Sequence, residues 1–186
     1  MVHPAKQRTV YDDFLEVPSH LVAEVIRGAL VTQPRPAARH AVASSVLGGE
    51  LSGPFQRGRG GPGGWVILDE PELHLGQDIL VPDLAGWRRT RMPEIPDVSA
   101  FEIAPDWVCE VLSPSTQASD RADKLPIYAT HQVAHTWLVD PLAKTLEVFR
   151  LENGRWSLLA THRDAALVRA EPFDAIELEL AALWAR

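Results

Sequence analysis

Cysteine is nearly absent. Cys109 is the only one in 186 residues, which excludes both an internal disulfide framework and a thiolate-rich zinc site. Long apolar runs are missing too: nothing approaches the ~18 uninterrupted apolar residues of a membrane helix. The opening Met1-Val2-His3-Pro4-Ala5-Lys6-Gln7-Arg8 lacks the apolar centre of a signal peptide. A soluble, cytoplasmic protein with no membrane partner is expected. Basic charge is also scarce, with 18 Lys and Arg against 25 Asp and Glu and a formal charge of −7. Constitutive nucleic-acid coat proteins are strongly basic, because phosphate neutralisation supplies most of their affinity. A nucleic-acid partner would here have to be met by local basic patches, and by metal ions that mask acids.

What is present suffices for a packed core. Hydrophobic residues make up 46% and charged residues 23%, ordinary for a globular chain. At roughly 150 residues per domain, the length indicates one domain, residues 1–186, with residues 1–35 as an N-terminal hairpin extension. That hairpin spans Leu21 to Val31 and turns at Gly28; His40 to Leu51 then repeats apolar positions at helical spacing. Residues 48–64 carry eight of the twelve glycines with Pro54, Pro62, Arg57 and Arg59, so this segment is expected as a flexible loop, able to act as a basic flap over a polyanion. It lacks the Gly-Lys-Ser/Thr ending of a phosphate-binding P-loop. Strand-length apolar runs follow at Trp65–Leu68, Ile79–Ala85, Trp107–Leu112, Thr136–Val139 and Thr145–Leu151. Between the third and fourth, Gln117 to His131 has helical spacing, with a kink expected at Pro126. The strand–helix–strand crossover should make the strands at Trp107 and Thr136 parallel neighbours. The order predicts an α/β fold: a central mixed β-sheet flanked by helices.

Acid inside apolar strands is the informative anomaly. Asp83 stands in Ile79-Leu80-Val81-Pro82-Asp83-Leu84-Ala85, and Glu110 in Asp106-Trp107-Val108-Cys109-Glu110-Val111-Leu112. A buried ionised carboxylate costs several kcal/mol unless a cation or hydrogen-bond donors compensate it. Two such acids on neighbouring strands can share a hard divalent cation. Mg²⁺ suits them, since it needs only one or two protein carboxylates, with water and phosphate oxygens completing its shell; Mn²⁺ is a possible substitute. The plainer alternative has Asp83 ending its strand and Glu110 paired with Lys124 or an arginine. Lys124 follows Glu110 on the next helix, where it can steady charge at the strand end, or else form an ordinary exposed pair with Asp120 four residues earlier.

Val81-Pro82-Asp83-Leu84-Ala85-Gly86-Trp87, the run Pro105 to Thr116, Asp120-Arg121, Lys124, Tyr128 and Trp137-Leu138-Val139-Asp140-Pro141 resemble the Uma-type restriction endonucleases of bacteria, once catalogued as a domain of unknown function within the PD-(D/E)XK nuclease superfamily. The resemblance runs from about Tyr11 to Trp184 and is most specific at Pro105–Thr116. It implies a restriction-endonuclease-like fold, a Mg²⁺-dependent endonuclease acting on DNA, Asp83 and Glu110 as metal-holding acids and Lys124 as the lysine. The superfamily's usual lysine position, two residues after the acid, is Leu112 here; the family appears with its lysine moved to the helix. Glu24 and His40 match further family positions that could line the site. Arg27 and Gln132 depart from the family's usual Asp and Gly, at turns.

Other constellations are weaker. His131 and His135 lack the Glu of a metalloprotease helix; Ser113, Ser115 and Thr116 read as helix caps; Asp140 before Pro141 reads as a turn residue. Arg88, Arg89 and Arg91 form the densest basic cluster, and with Arg57 and Arg59 supply candidate DNA contacts. Glu171, Asp174, Glu177 and Glu179 should face solvent away from nucleic acid, and the six tryptophans should be core. The nuclease reading competes with a non-catalytic nucleic-acid- or protein-binding module on the same scaffold, and with a metal-dependent phosphatase on small substrates. A homodimer would suit the cutting of two antiparallel strands.

Overall fold

The computed structural model describes residues 8–185, so the first seven residues of the expected N-terminal extension lie outside the described residues. After a short helix α1 (Val10–Leu15), capped by Thr9 and Asp12, the strands β1 (Leu21–Ile26) and β2 (Ala29–Pro34) form the expected hairpin. Its two-residue turn, Arg27-Gly28, has φ of 52° and 78°, the left-handed pair that matches strand twist. Gln132 is left-handed as well, with φ 59°. Both departures from the family pattern therefore put a side chain where Gly, Asn or Asp is easiest.

The hairpin is not an appendage. It forms one side of a five-stranded sheet of order β2-β1-β5-β4-β7, with β4 at Glu72–Leu75, β5 at Asp78–Leu80 and β7 at Ala100–Phe101. A second, six-stranded sheet has order β11-β10-β9-β8-β6-β3. It comprises β3 (Trp65–Asp69), β6 (Leu84–Arg88), β8 (Trp107–Val111), β9 (His135–Asp140), β10 (Thr145–Glu152) and β11 (Arg155–Arg163). Strands β8 and β9 run parallel, as the crossover requires, while the other pairs of this sheet are antiparallel. The small ribbon β12 (Leu167–Val168) and β13 (Leu178–Glu179) completes a mixed α/β fold with few helices.

Three segments differ from the sequence expectation, each for a reason visible in proline or glycine chemistry. Ile79–Ala85 is not one strand. Pro82 has no N–H to place in a ladder, the chain leaves β5 at Leu80 and enters β6 at Leu84, and Asp83 stands on the break between the two sheets. The glycine-rich segment begins as helix: α2 (Ala38–Leu51) includes Gly48 and Gly49, and a wide π-helical turn continues through Ser52–Gln56, burying Phe55. Irregular chain is confined to residues 57–64. The helix expected over 117–131 is α3 (Gln117–Ser119), a π-helical turn Asp120–Lys124, then α4 (Leu125–Thr130). Pro126 cannot bond back to Ala122, and that carbonyl accepts from Arg27 instead.

The larger core cluster lies between α2 and the six-stranded sheet. Ala43, Leu47 and Leu51, at a four-residue period, meet Trp65, Trp107 and Trp137. Phe173 sits at the centre, with ring centroids 4.7 Å from Phe55, 4.8 Å from Trp65 and 4.8 Å from Trp107. A Cβ on Gly86 would stand 3.1 Å from Trp107 and 3.3 Å from Trp65, so this position stays open for two indoles. A second cluster joins the two sheets, drawing Ile26, Leu73 and Leu80 from one and Val66, Trp87 and Val108 from the other, with Tyr128 of α4. Four of the six tryptophans are fully buried.

Candidate active site

Strand register creates the site. Leu84 pairs with Cys109, and continuing that antiparallel register by one residue sets Asp83 opposite Glu110, where side chains share a face. The Val111 N–H donates to Asp83 Oδ2 at 2.7 Å. His40, in the first turn of α2, places Nε2 3.2 Å from Asp83 Oδ1. Asp83, Glu110, His40, Asp120 and Lys124 all line one open cavity of about 270 Å³. The expected convergence of the two acids is present.

Lys124 is the centre of charge. Its Nζ lies 3.0 Å from Glu24, 3.3 Å from Glu110 and 3.3 Å from Asp120, and all four residues are 2–3% exposed. An ammonium has three N–H donors, and here each faces a carboxylate. The exposed Asp120–Lys124 pair is thus corrected: the wide turn Asp120–Lys124 carries both residues inward, and Asp120 Oδ1 meets the ammonium without hydrogen-bond geometry. Glu24, from β1, also accepts from the Val81 N–H at 2.9 Å, tying the chain just before Asp83 to the five-stranded sheet. Glu110 has a second partner that the sequence reading did not single out as functional. The Tyr128 hydroxyl donates to Glu110 Oε1 at 2.6 Å; its position in an apolar helix stripe looked like core, and it is both.

The protonation pattern follows from burial. Desolvation raises the Glu110 carboxyl well above the ordinary 4.5; Lys124 opposes this, while Asp120, Asp83 and Glu24 add to it. Asp120 is raised for the same first reason. Burial works against the Lys124 cation, yet Glu110, Glu24 and Asp120 outweigh it and hold the ammonium charged. Burial is the largest single influence on His40 and works against its cation, but the hydrogen bond and charge of Asp83, with smaller help from Val111 and Asp120, together outweigh it and raise the imidazole above its usual range. Cys109, adjacent to Glu110, is held as a thiol by burial and by the Asp83 and Glu110 charges, which disqualifies it as a nucleophile.

The donor set fits a hard divalent cation. Four acids (Glu24, Asp83, Glu110 and Asp120) face one ammonium and one imidazole, so acidic groups outnumber cationic ones in a half-enclosed site. Asp83 and Glu110 both line the cavity, and water with substrate phosphate can supply the remainder of a Mg²⁺ shell. No cluster of three or more His, Cys, Asp or Glu is arranged as a ready-made cage among the described residues, so a cation would depend on those external oxygens.

The arginines expected to contact DNA do not line this cavity. Arg88 lies at the other end of β6, five residues from Asp83 and so roughly 16 Å along the strand, with its guanidinium 4.1 Å above the Trp65 ring. Arg89 bonds through its N–H to the Gly64 carbonyl, at the end of the irregular 57–64 segment that carries Arg57 and Arg59, and neither of these lines the cavity. Arg91 pairs with Asp106 at 3.0 Å. His135 is held by Glu171 at 3.4 Å, and Asp140 accepts from Leu142 and Ala143 N–H groups in the expected turn. Asp174, Glu177 and Glu179 are exposed, whereas Glu171 is half-buried against Arg150.

Residues 11–182 match the Uma2 family, described as "Putative restriction endonuclease". The chain belongs to the Uma2 family. A solved structure of similar fold, described as a putative nuclease belonging to DUF820 from Anabaena variabilis, superposes with a TM-score of 0.75 over 93% of this chain and 96% of that one, at 24% identity. That likeness gives the fold, which is restriction-endonuclease-like. No functionally curated protein matches. Uma2 membership supports nuclease function at a coarse level, and with it a nucleic-acid substrate. Among the described residues no helix is long and apolar enough to cross a membrane.

Proposed function

We propose that this Uma2 protein is a divalent-metal-dependent endonuclease that hydrolyses DNA phosphodiester bonds in the Asp83–Glu110 cavity. The observation that carries the reading is the meeting of these two acids, Asp83 just before β6 and Glu110 on β8, in one cavity beside a buried lysine. Asp83 and Glu110 would hold Mg²⁺, or Mn²⁺ in its place. When bound, such an ion supplies Lewis acidity to the phosphodiester and a water of lowered pKa.

The chain's own residues set the stage for that ion. Val111 N–H and His40 fix the Asp83 carboxylate; Tyr128 O–H and Lys124 fix Glu110. Lys124 is a positioning residue in this arrangement, because its ammonium lies within ion-pair distance of Glu24, Glu110 and Asp120 at once. Direct action on an attacking water requires it to release one of them, and Asp120, which it meets without hydrogen-bond geometry, is the first to go. His40 holds its Nε2 against Asp83 at the cavity wall, where it would be able to donate a proton.

The buried lysine also gives the binding-module reading its one supporting observation, since it offsets part of the acidic charge without metal. Incubation of the purified protein with supercoiled and linear DNA across divalent metals separates the two. Metal-dependent nicking that is lost in Glu110→Gln and Asp83→Asn supports the nuclease. DNA retention without cleavage under any divalent metal supports the module. Hydrolysis of a chromogenic phosphomonoester in preference to a phosphodiester would support neither.

A further inference from the structure

Among the described residues, the cavity mouth has one cation that faces solvent. Of its cationic lining residues, Lys124 is buried among three acids and His40 is engaged by Asp83; Arg35 alone, between β2 and α2, is exposed, with 56% of its side chain open. Arg35 is not free. Its Nη1 donates to Glu70 Oε2 at 3.0 Å and its Nη2 to the Ser19 carbonyl at 3.4 Å. Glu70 also lines the cavity, is 41% exposed, and its N–H bonds to the Asp83 carbonyl at 3.1 Å, so the pair is anchored to the chain that carries the metal-site acid. An exposed ion pair of this kind is weak in water. A guanidinium recognises phosphate with two parallel donors. The N-terminus of the fourteen-residue α2 opens beside it with Ala37 at the cap and no side-chain cap, adding positive potential on the same side.

We propose that Arg35 receives the nucleic-acid backbone at the mouth, exchanging the Glu70 carboxylate for a phosphate, and that Glu70 holds the guanidinium in place until then. The inference rests on the nuclease reading. It gives the polyanion a point of entry into a cavity whose other open charges are acids, and it differs from the arginine cluster at the far end of β6. Arg35 is a binding residue here and Glu70 its competitor.

The test is duplex binding by fluorescence anisotropy with Ca²⁺ in place of Mg²⁺, on the full-length protein, from low to physiological salt. Arg35→Ala should weaken binding and flatten the plot of log affinity against log salt by about 0.9, one phosphate contact's worth. Glu70→Gln should tighten binding roughly two- to fivefold, the range an exposed pair can release. In the Arg35→Ala background Glu70→Gln should do little. Arg163→Ala, which removes an arginine 82% exposed on β11, should leave the slope unchanged. A purely structural role for the pair would move both single variants in the same direction and overturn the proposal. So would an unchanged slope in Arg35→Ala, or equal tightening by Glu70→Gln with and without Arg35. Those outcomes leave the nuclease reading standing, whereas absence of duplex binding by the wild type with any divalent metal overturns both.

Discussion

Replacing Glu110 by Gln should make the metal-free protein less sensitive to alkaline pH while removing its activity. Glu110 is 2% exposed, and burial raises its carboxyl well above the ordinary 4.5 against the opposing pull of Lys124. The native state therefore keeps a proton that the unfolded chain gives up from about pH 4.5. In that window the folded form binds one proton more, so unfolding free energy falls as pH rises. The slope is about 1.4 kcal/mol per pH unit for one proton, continuing until the native group itself titrates. Gln carries no such proton, and its amide oxygen can still accept from Tyr128. The wild type and the variant should therefore be close near pH 4.5 and diverge in the variant's favour by up to that slope above it. Asp120 and His40 are raised as well, but they are present in both proteins, so the difference between the curves reads Glu110 together with its coupling to Lys124 and the neighbouring acids. Urea unfolding followed by tryptophan fluorescence in EDTA, between pH 5 and 8, reads this directly. Parallel curves for the two proteins, or a steeper fall in the variant, would refute the reasoning.

Other expectations follow from the same geometry. Lys124→Met leaves three buried acids without their cation and should destabilise by about 3–5 kcal/mol near neutral pH, less at pH 5, as read by the same urea curves. Asp83→Asn keeps the fold but should lower Mn²⁺ affinity by more than the ~10–100-fold that loss of a supporting contact costs, measured by calorimetric titration. Phe173→Ala empties the centre of the Trp65, Trp107 and Phe55 cluster and should cost about 3–5 kcal/mol, with no change in metal affinity of the folded fraction. In cleavage assays Asp83→Asn should lose more rate than Arg88→Ala, whose guanidinium lies over Trp65 at the far end of the strand.

Much of the fold was legible because local signals and tertiary structure agree. Arg27-Gly28 between two apolar runs forms the hairpin turn, and the length of the Gln117–His131 segment made β8 and β9 parallel. Where they disagree, a backbone group is at issue. Pro82 splits one apolar run into two strands belonging to different sheets, and an apolar run alone does not reveal which sheet each half joins. The glycines at 48 and 49 remain helical because Ala43, Leu47, Leu51 and Phe55 bury their face against the sheet, and tertiary burial outweighs the weak propensity penalty.

The site divides in the same way. Asp83 and Glu110 were visible because a charge in an apolar strand demands compensation. Asp120 was not, since an acid four residues before a lysine on a helix is commonly an exposed pair, and only the π-helical turn takes both inside. Tyr128 hid within an apolar helix stripe, although a buried hydroxyl needs a partner and Glu110 supplies it. Arg35 carries no local signal. It matters only because two connections that are distant in the chain meet at the cavity mouth.

The central claim is that Asp83 and Glu110 share one divalent cation. Crystals soaked in Mn²⁺ and recorded at a wavelength where manganese scatters anomalously test it without reference to activity. The account predicts a single strong peak in the cavity within coordination distance of both carboxylates, absent from Glu110→Gln crystals. A peak elsewhere, or none at saturating Mn²⁺ with the Lys124 ammonium still holding all three acids, would contradict it.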